Sequence, residues 1–220
     1  MSGGRARRTR VKMCGTTRLE DALVAADCGV DALGFIFYTK SPRYIAPDSA
    51  ARIINQLPPF VDRVGVFVNA TIDEVTTAAA AGLSALQLHG DESVEYCREL
   101  RQKLPCCRLI KAFRVGDESR PDNFTPYDGC VDAFLLDTYV QGASGGTGRV
   151  FDWSIIEQLR LRRPILLAGG LSPENVLAAI TEVHPYAVDI NSGVESQPGV
   201  KDHARLKNLL RLVCQTVLFW

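Results

Sequence analysis

The sequence predicts an α/β fold, a single-domain (βα)8 barrel of the TIM type, on three observations. Eight short apolar or β-branched runs alternate with stretches of helical periodicity. The runs are apolar nearly throughout, as strands covered on both faces are. The chain has 220 residues, which fits one complete barrel of ~200–250 residues and leaves no room for a second enzyme domain.

Taken in order, the strands are expected at 10–15, 32–37, 63–68, 85–89, 108–113, 133–138, 165–168 and 187–190. Thr17-Arg18-Leu19-Glu20 reads as a capping box that opens the first helix, and Thr71-Ile72-Asp73-Glu74 as one that opens the third. Leu19, Ala22, Leu23 and Ala26 share one helical face, and so do Leu206, Leu209, Leu210 and Val213. Gly29 and Gly82 stand where helices should end. Ser172-Pro173 reads as a cap followed by proline at the first helical position. The fifth helix is the weak member, because 117–127 is polar and carries Pro121 and Pro126. Leu57-Pro58-Pro59 reads as a loop within the repeat.

Composition bounds the function. The chain is 46% hydrophobic and 23% charged, with formal net charge zero, so no global field points to nucleic acid. The basic bias is local: Arg5, Arg7, Arg8 and Arg10 read as a flexible tail over 1–10, ahead of one barrel domain over 11–220. No apolar h-region follows that tail, so no secretory signal is expected. No run reaches the ~18 consecutive apolar residues of a membrane span. The seven cysteines form no C-x-x-C pair. That excludes a metal-ligand pattern and favours reduced thiols in the cytoplasm.

In a barrel of this kind, chemistry gathers at the carboxyl ends of the strands. Cys14 ends the first strand and Asp137 the sixth. Cys14 could be a buried small hydrophobe, or a general base. Lys12 lies two residues before it on the same side of the strand, and its ammonium would lower the thiol pKa. Asp137, after four apolar residues, could cap a helix, pair with an arginine, or hold a proton and act as a general acid. Asn69, Gln87 and Arg114 fall at other strand ends. Arg43 could grip a substrate carboxylate with its fork. His89 reads as structural more readily than catalytic. Gly169-Gly170 and Ser192-Gly193, after the last two strands, together read as a phosphate site of backbone N–H groups. The segment 142–148 is glycine-dense and reads as a lid or a simple loop. It lacks the dinucleotide fingerprint.

At this point the chain resembles a known family, the phosphoribosylanthranilate isomerases of tryptophan biosynthesis. The stretches that carry the resemblance begin with Val11-Lys12-Met13-Cys14-Gly15-Thr16-Thr17, Gly34-Phe35-Ile36-Phe37 and Lys40-Ser41-Pro42-Arg43-Tyr44. They continue with Arg63-Val64-Gly65-Val66-Phe67-Val68-Asn69, Gln87-Leu88-His89-Gly90-Asp91, Leu135-Leu136-Asp137 and Gly145-Gly146-Thr147-Gly148. Phe151-Asp152-Trp153, Leu167-Ala168-Gly169-Gly170-Leu171 and Val188-Asp189-Ile190-Asn191-Ser192-Gly193-Val194-Glu195 complete them. The resemblance implies an Amadori rearrangement of N-(5-phosphoribosyl)anthranilate, a phosphorylated small molecule, with no metal or organic cofactor. It implies Cys14 as base, Asp137 as acid, Arg43 on the carboxylate, Asp189 as a further active-site residue, and phosphate at Gly169-Gly170 and Ser192-Gly193. The departures are Met13, Thr16, Thr39 and Asn191, none of them a proposed catalytic group. Either a monomer or a homodimer is compatible with the sequence. The isomerase of histidine biosynthesis is the nearest rival, but it resembles a barrel with two phosphate sites and two catalytic aspartates. A catalytically silent barrel would have no physical need to keep both Cys14 and Asp137.

Overall fold

The computed structural model describes residues 6–138 and 152–219. Eight parallel strands close into a barrel: β1 (Arg10–Met13), β2 (Ala32–Ile36), β3 (Asp62–Phe67), β4 (Ala85–Leu88), β5 (Arg108–Arg114), β6 (Ala133–Asp137), β7 (Ile165–Ala168) and β8 (Ala187–Ile190). The closure sets Lys12 of β1 opposite Asp189 of β8. Among the described residues, seven helices lie between or after the strands: α1 (Leu19–Asp27), α2 (Pro47–Ile54), α3 (Ile72–Ala79), α4 (Val94–Lys103), α5 (Ser154–Gln158), α6 (Val176–Val183) and α7 (His203–Gln215).

Strand alternation divides the apolar residues between two cores. Val64, Ala85, Ile110, Ala112, Ala133, Leu135, Leu166, Ala168 and Ala187 fill the barrel interior. The residues between them, such as Met13, Leu33, Phe35, Leu88, Leu136 and Val188, pack outward under the helices. Both faces are therefore apolar, which is why the strands read as continuous apolar runs. The interior polar residues gather near the carboxyl end, at Lys12, Gln87 and Asp189, all buried.

Several local expectations meet different outcomes. The Thr71 box forms: its hydroxyl accepts from the Glu74 N–H at 3.3 Å, and its own N–H donates to the Glu74 carboxylate at 2.7 Å. The Thr17 box does not. Arg18 stands at the N-cap of α1 without a side-chain bond, and the Thr17 hydroxyl donates instead to the Gly199 carbonyl at 2.5 Å. Leu23, expected on the buried face of α1, is exposed, and Ala22 and Ala25 face the core. The four apolar residues expected to share a face of α7 are all buried. No α-helix forms between β5 and β6. Two 3-10 turns, Pro121–Asn123 and Thr125–Tyr127, replace it. Phe124 between them packs on Phe113 and Phe134 at 4.6 and 5.7 Å between ring centroids. One aromatic thus covers the strands where a helix face would.

The expected tail over 1–10 needs correction from residue 6 on. Ala6–Arg8 pairs antiparallel with Val217–Phe219. The Arg8 guanidinium bonds the Asp31 carboxylate at 2.7 and 2.5 Å. Arg10 begins β1, and its guanidinium stacks 4.3 Å from the centroid of Tyr186. Residues 1–5 and the glycine-dense 142–148 lie outside the described residues. Among the described residues, no helix is long and apolar enough to cross a membrane.

Candidate active site

The carboxyl ends of the strands surround a cavity of about 300 Å³, whose wall includes Cys14, Arg43, Gln87, His89, Asp137 and Asp189. Gly169, Gly170, Asn191 and Ser192 complete one side of it. A larger cavity of about 470 Å³ opens at the opposite end, between Arg10, Asp62, Arg108 and Asp132. Of the expected site residues it touches only Lys12. Its cations already have partners, Arg108 at Asp132, Lys12 at Asp189 and Arg10 on the Tyr186 ring, so the smaller cavity is the one that collects chemistry.

Strand geometry delivers the first group of residues. Lys12 and Cys14 point inward from β1 and the residue after it, one layer apart. The Lys12 ammonium donates to both oxygens of Asp189 at 2.9 Å. The Cys14 thiol and this ammonium share the space left by Gly34, where a Cβ would stand 2.9 Å from Sγ and 3.2 Å from Nζ. Burial pushes the Cys14 thiol up, and Lys12 pulls it down without cancelling the rise. Asp189 adds to the rise, and Lys201 opposes it. This corrects the expectation that Lys12 leaves the thiol with a lowered pKa. The ammonium is beside the thiol, but a carboxylate on its other side offsets its field. Burial acts against the Lys12 charge too, yet Asp189 and Cys14 outweigh it and hold the lysine above its ordinary range. Burial likewise pushes the Asp189 carboxyl up against the pull of Lys12.

Asp137 ends β6 across the cavity, with its Oδ2 3.6 Å from the His89 Nε2. The Gln87 amide nitrogen lies 2.8 Å from the His89 Nδ1, so the imidazole is held between two side chains. The loop that carries His89 is fixed from behind. Glu92 accepts from the Asn69 N–H at 2.9 Å, from the Gly90 N–H at 3.0 Å and from the Lys111 ammonium at 3.1 Å. His89, expected at the active site although a structural role is the commoner one for a histidine, faces the candidate acid.

Arg43 leaves the loop after β2, where its N–H donates to the Ser41 hydroxyl at 3.1 Å. Its guanidinium is not open on all sides, because Nε and Nη2 donate to the Glu195 carboxylate at 2.6–3.0 Å. The two glycine loops meet as expected. Gly169 and Gly170 turn the chain after β7 with φ of +107° and +62°. Gly193 stands behind the cavity wall, pressed on the other loop so closely that a Cβ there would lie 2.0 Å from the Leu171 carbonyl oxygen. The helix behind them starts later than expected. α6 begins at Val176, and Asn175 Oδ1 accepts the Ser172 N–H at 2.9 Å, so a turn separates Gly170 from the helix.

Glu195 and Lys201 went unnoticed as site residues. They sit on the two strands of a hairpin after β8, Glu195–Gln197 and Val200–Lys201. The signals in the sequence were the place of Glu195 at the end of a family-like stretch and two charges flanking a Ser-Gln-Pro-Gly turn next to the Ser192-Gly193 loop.

Comparison with known proteins points one way. The family model described as N-(5'phosphoribosyl)anthranilate (PRA) isomerase matches residues 11–211. A relative from Pelobacter propionicus, named N-(5'-phosphoribosyl)anthranilate isomerase, is 48% identical over 208 residues, covering 94% of this chain and 96% of that protein. A solved phosphoribosyl anthranilate isomerase in complex with reduced 1-(o-carboxyphenylamino)-1-deoxyribulose 5-phosphate matches with a TM-score of 0.83 at 44% identity, over 94% of this chain and 100% of that one. Phosphoribosyl anthranilate isomerase from Thermotoga maritima matches with a TM-score of 0.86 at 46% identity, with the same 94% and 100% coverage.

Proposed function

The chain belongs to the family of N-(5'-phosphoribosyl)anthranilate isomerases, and on that premise we propose how its own residues divide the reaction. The enzyme converts N-(5-phosphoribosyl)anthranilate to 1-(2-carboxyphenylamino)-1-deoxyribulose 5-phosphate by an Amadori rearrangement, a step of L-tryptophan biosynthesis. Asp137 is the general acid. It gives its proton to the ribose ring oxygen, the C1–O bond breaks, and the anilinic nitrogen becomes a Schiff base. That cation acidifies the adjacent C2–H. Cys14, as thiolate, takes the C2 proton, and the electron pair returns to nitrogen to give an enolamine. Proton return at C1 and loss of the C2 hydroxyl proton leave the ketone. The substrate's own nitrogen is the electron sink, so this scheme calls on no cofactor.

The observation that carries the assignment is that Cys14 and Asp137, from β1 and β6, line one cavity with the glycine loops at its side. Arg43 holds the anthranilate carboxylate. Backbone N–H groups of Gly169, Gly170, Ser192 and Gly193 hold the phosphate. Asp189 fixes the Lys12 ammonium beside the thiol, and His89 orients the Asp137 carboxyl. The barrel from β1 to α7, with the Ala6–Arg8 strand joined to its end, acts as one isomerase domain, and its seven free cysteines suit the cytoplasm. The test is loss of substrate fluorescence, with the substrate made in place from anthranilate and phosphoribosyl pyrophosphate. The purified protein consumes it; no turnover of fresh substrate would refute the reading.

A further inference from the structure

We propose that Lys201 and Glu195 are positioning residues that hold the base Cys14 and the carboxylate-binding Arg43 in one framework. The proposal rests on the roles given above to Cys14 and Arg43. The Lys201 side chain is fully enclosed, at 0% exposure, and Glu195 is at 4%. The Lys201 ammonium donates to the Cys14 carbonyl at 2.7 Å, to Glu195 Oε1 at 2.9 Å and to Asn191 Oδ1 at 3.0 Å. An ammonium has three donors; these three contacts engage them, and the Asn191 carbonyl lies farther off at 3.4 Å. Its backbone N–H donates to Asp21 Oδ2 at 3.1 Å, which ties the hairpin to α1. Burying an ammonium is unfavourable unless it is paired and hydrogen-bonded. Here each partner belongs to the base-bearing strand end, the loop after β8, or the arginine clamp.

Glu195 does two further things. It takes the Nε–Nη2 edge of Arg43 and so fixes the plane of the guanidinium. An arginine has five N–H donors in a planar fork. The end formed by Nη1 and the outer hydrogen of Nη2 is left to meet a substrate carboxylate at two points. Glu195 also accepts the Gly199 N–H at 3.2 Å, which closes the hairpin turn against it. Arg43 and Lys201 outweigh the effect of burial and hold the Glu195 carboxyl below its usual range, so it faces both cations ionised.

The thiol of Cys14 faces several charges. Lys12 comes from its own strand, Asp189 from β8, Arg43 from the loop after β2 and Lys201 from the hairpin, with Glu195 behind the last two. His89 and Asp137 face it across the cavity. Of the cations, Lys12 is matched by Asp189. Lys201 is paired with Glu195, and burial lowers its ammonium from the ordinary lysine range, but its charge still draws the thiol down, and it anchors the Cys14 backbone. Removing it leaves the thiolate less favoured and its strand end less fixed.

The test compares Lys201→Met, Lys201→Arg and Glu195→Gln with wild type, each checked for folding by thermal melting. Thiolate formation at Cys14 is read by ultraviolet absorbance against pH, each variant minus its Cys14→Ala counterpart. Lys201→Met is expected to move that titration to higher pH by about one unit, which lowers kcat/KM at neutral pH about tenfold. Lys201→Arg, which keeps the charge, titrates near wild type. Glu195→Gln, nearly isosteric, raises KM and weakens product binding in calorimetry about tenfold, with kcat within about threefold. A folded Lys201→Met variant with wild-type titration would overturn the Lys201 role. If that variant does not fold, unchanged KM and product affinity in Glu195→Gln would overturn the framework. Failure of the functional reading looks different, because wild type then neither binds product nor turns over, while the thiol titration still reports on Lys201.

Discussion

Cys14 is a thiol whose surroundings oppose its ionisation more than they favour it. The sequence supports half of this. Lys12 and Cys14 are two apart on a strand, so an ammonium beside the thiol was legible from spacing alone. The carboxylate that offsets that ammonium comes from Asp189, at the far end of the chain. Only barrel closure brings them together, and no local pattern records it. The consequence is a pH dependence. A general base must be deprotonated, so the rate rises as pH climbs through the thiol pKa, and burial has pushed that pKa up. The ascending limb of kcat/KM, which reports the free enzyme, is therefore expected on the alkaline side of the ~8.5 of a free thiol. Initial rates from pH 6 to 10 check this, and a limb centred near pH 7 would show that a different base or a lowered thiol governs the step.

At the scale of elements, two identical-looking signals part company. Thr17 and Thr71 both head a capping-box pattern, but only Thr71 caps its helix. Thr17 lies within reach of the hairpin after β8 and gives its hydroxyl to Gly199, so a distant element overrode the local preference. At Ser172 the competitor is local: Asn175, three residues on, takes the Ser172 N–H, and α6 starts at Val176. The glycine loops were legible as a pair because glycine is costly where nothing requires it, yet the reason at Gly193 is steric and nonlocal. A Cβ there meets the Leu171 carbonyl, so Gly193→Ala must push the two glycine loops, proposed to hold the phosphate, apart. A KM about tenfold higher is expected, a loss of ~1.4 kcal/mol of binding, with kcat little changed. Unchanged KM in a folded variant would separate this contact from phosphate binding.

For the whole molecule, barrel topology was legible because it repeats. Eight apolar runs at near-regular spacing, each followed by a helix or, once, by proline-rich turns, leave one closed arrangement at this length. What does not repeat was illegible: the ribbon that joins Ala6–Arg8 to Val217–Phe219, and the hairpin that carries Glu195 and Lys201. The candidate site sits where repeat and exception meet, with Cys14 and Asp137 on strand ends and the arginine clamp held by the hairpin. The central claim is that a thiol and a carboxyl divide the proton transfers. It is tested most directly by kcat for Cys14→Ala and Asp137→Asn, alongside their affinity for the reduced product analogue. Each variant is expected to lose at least ~100-fold in kcat while binding the analogue within about threefold of wild type. A Cys14→Ala enzyme that turns over at the wild-type rate would contradict it.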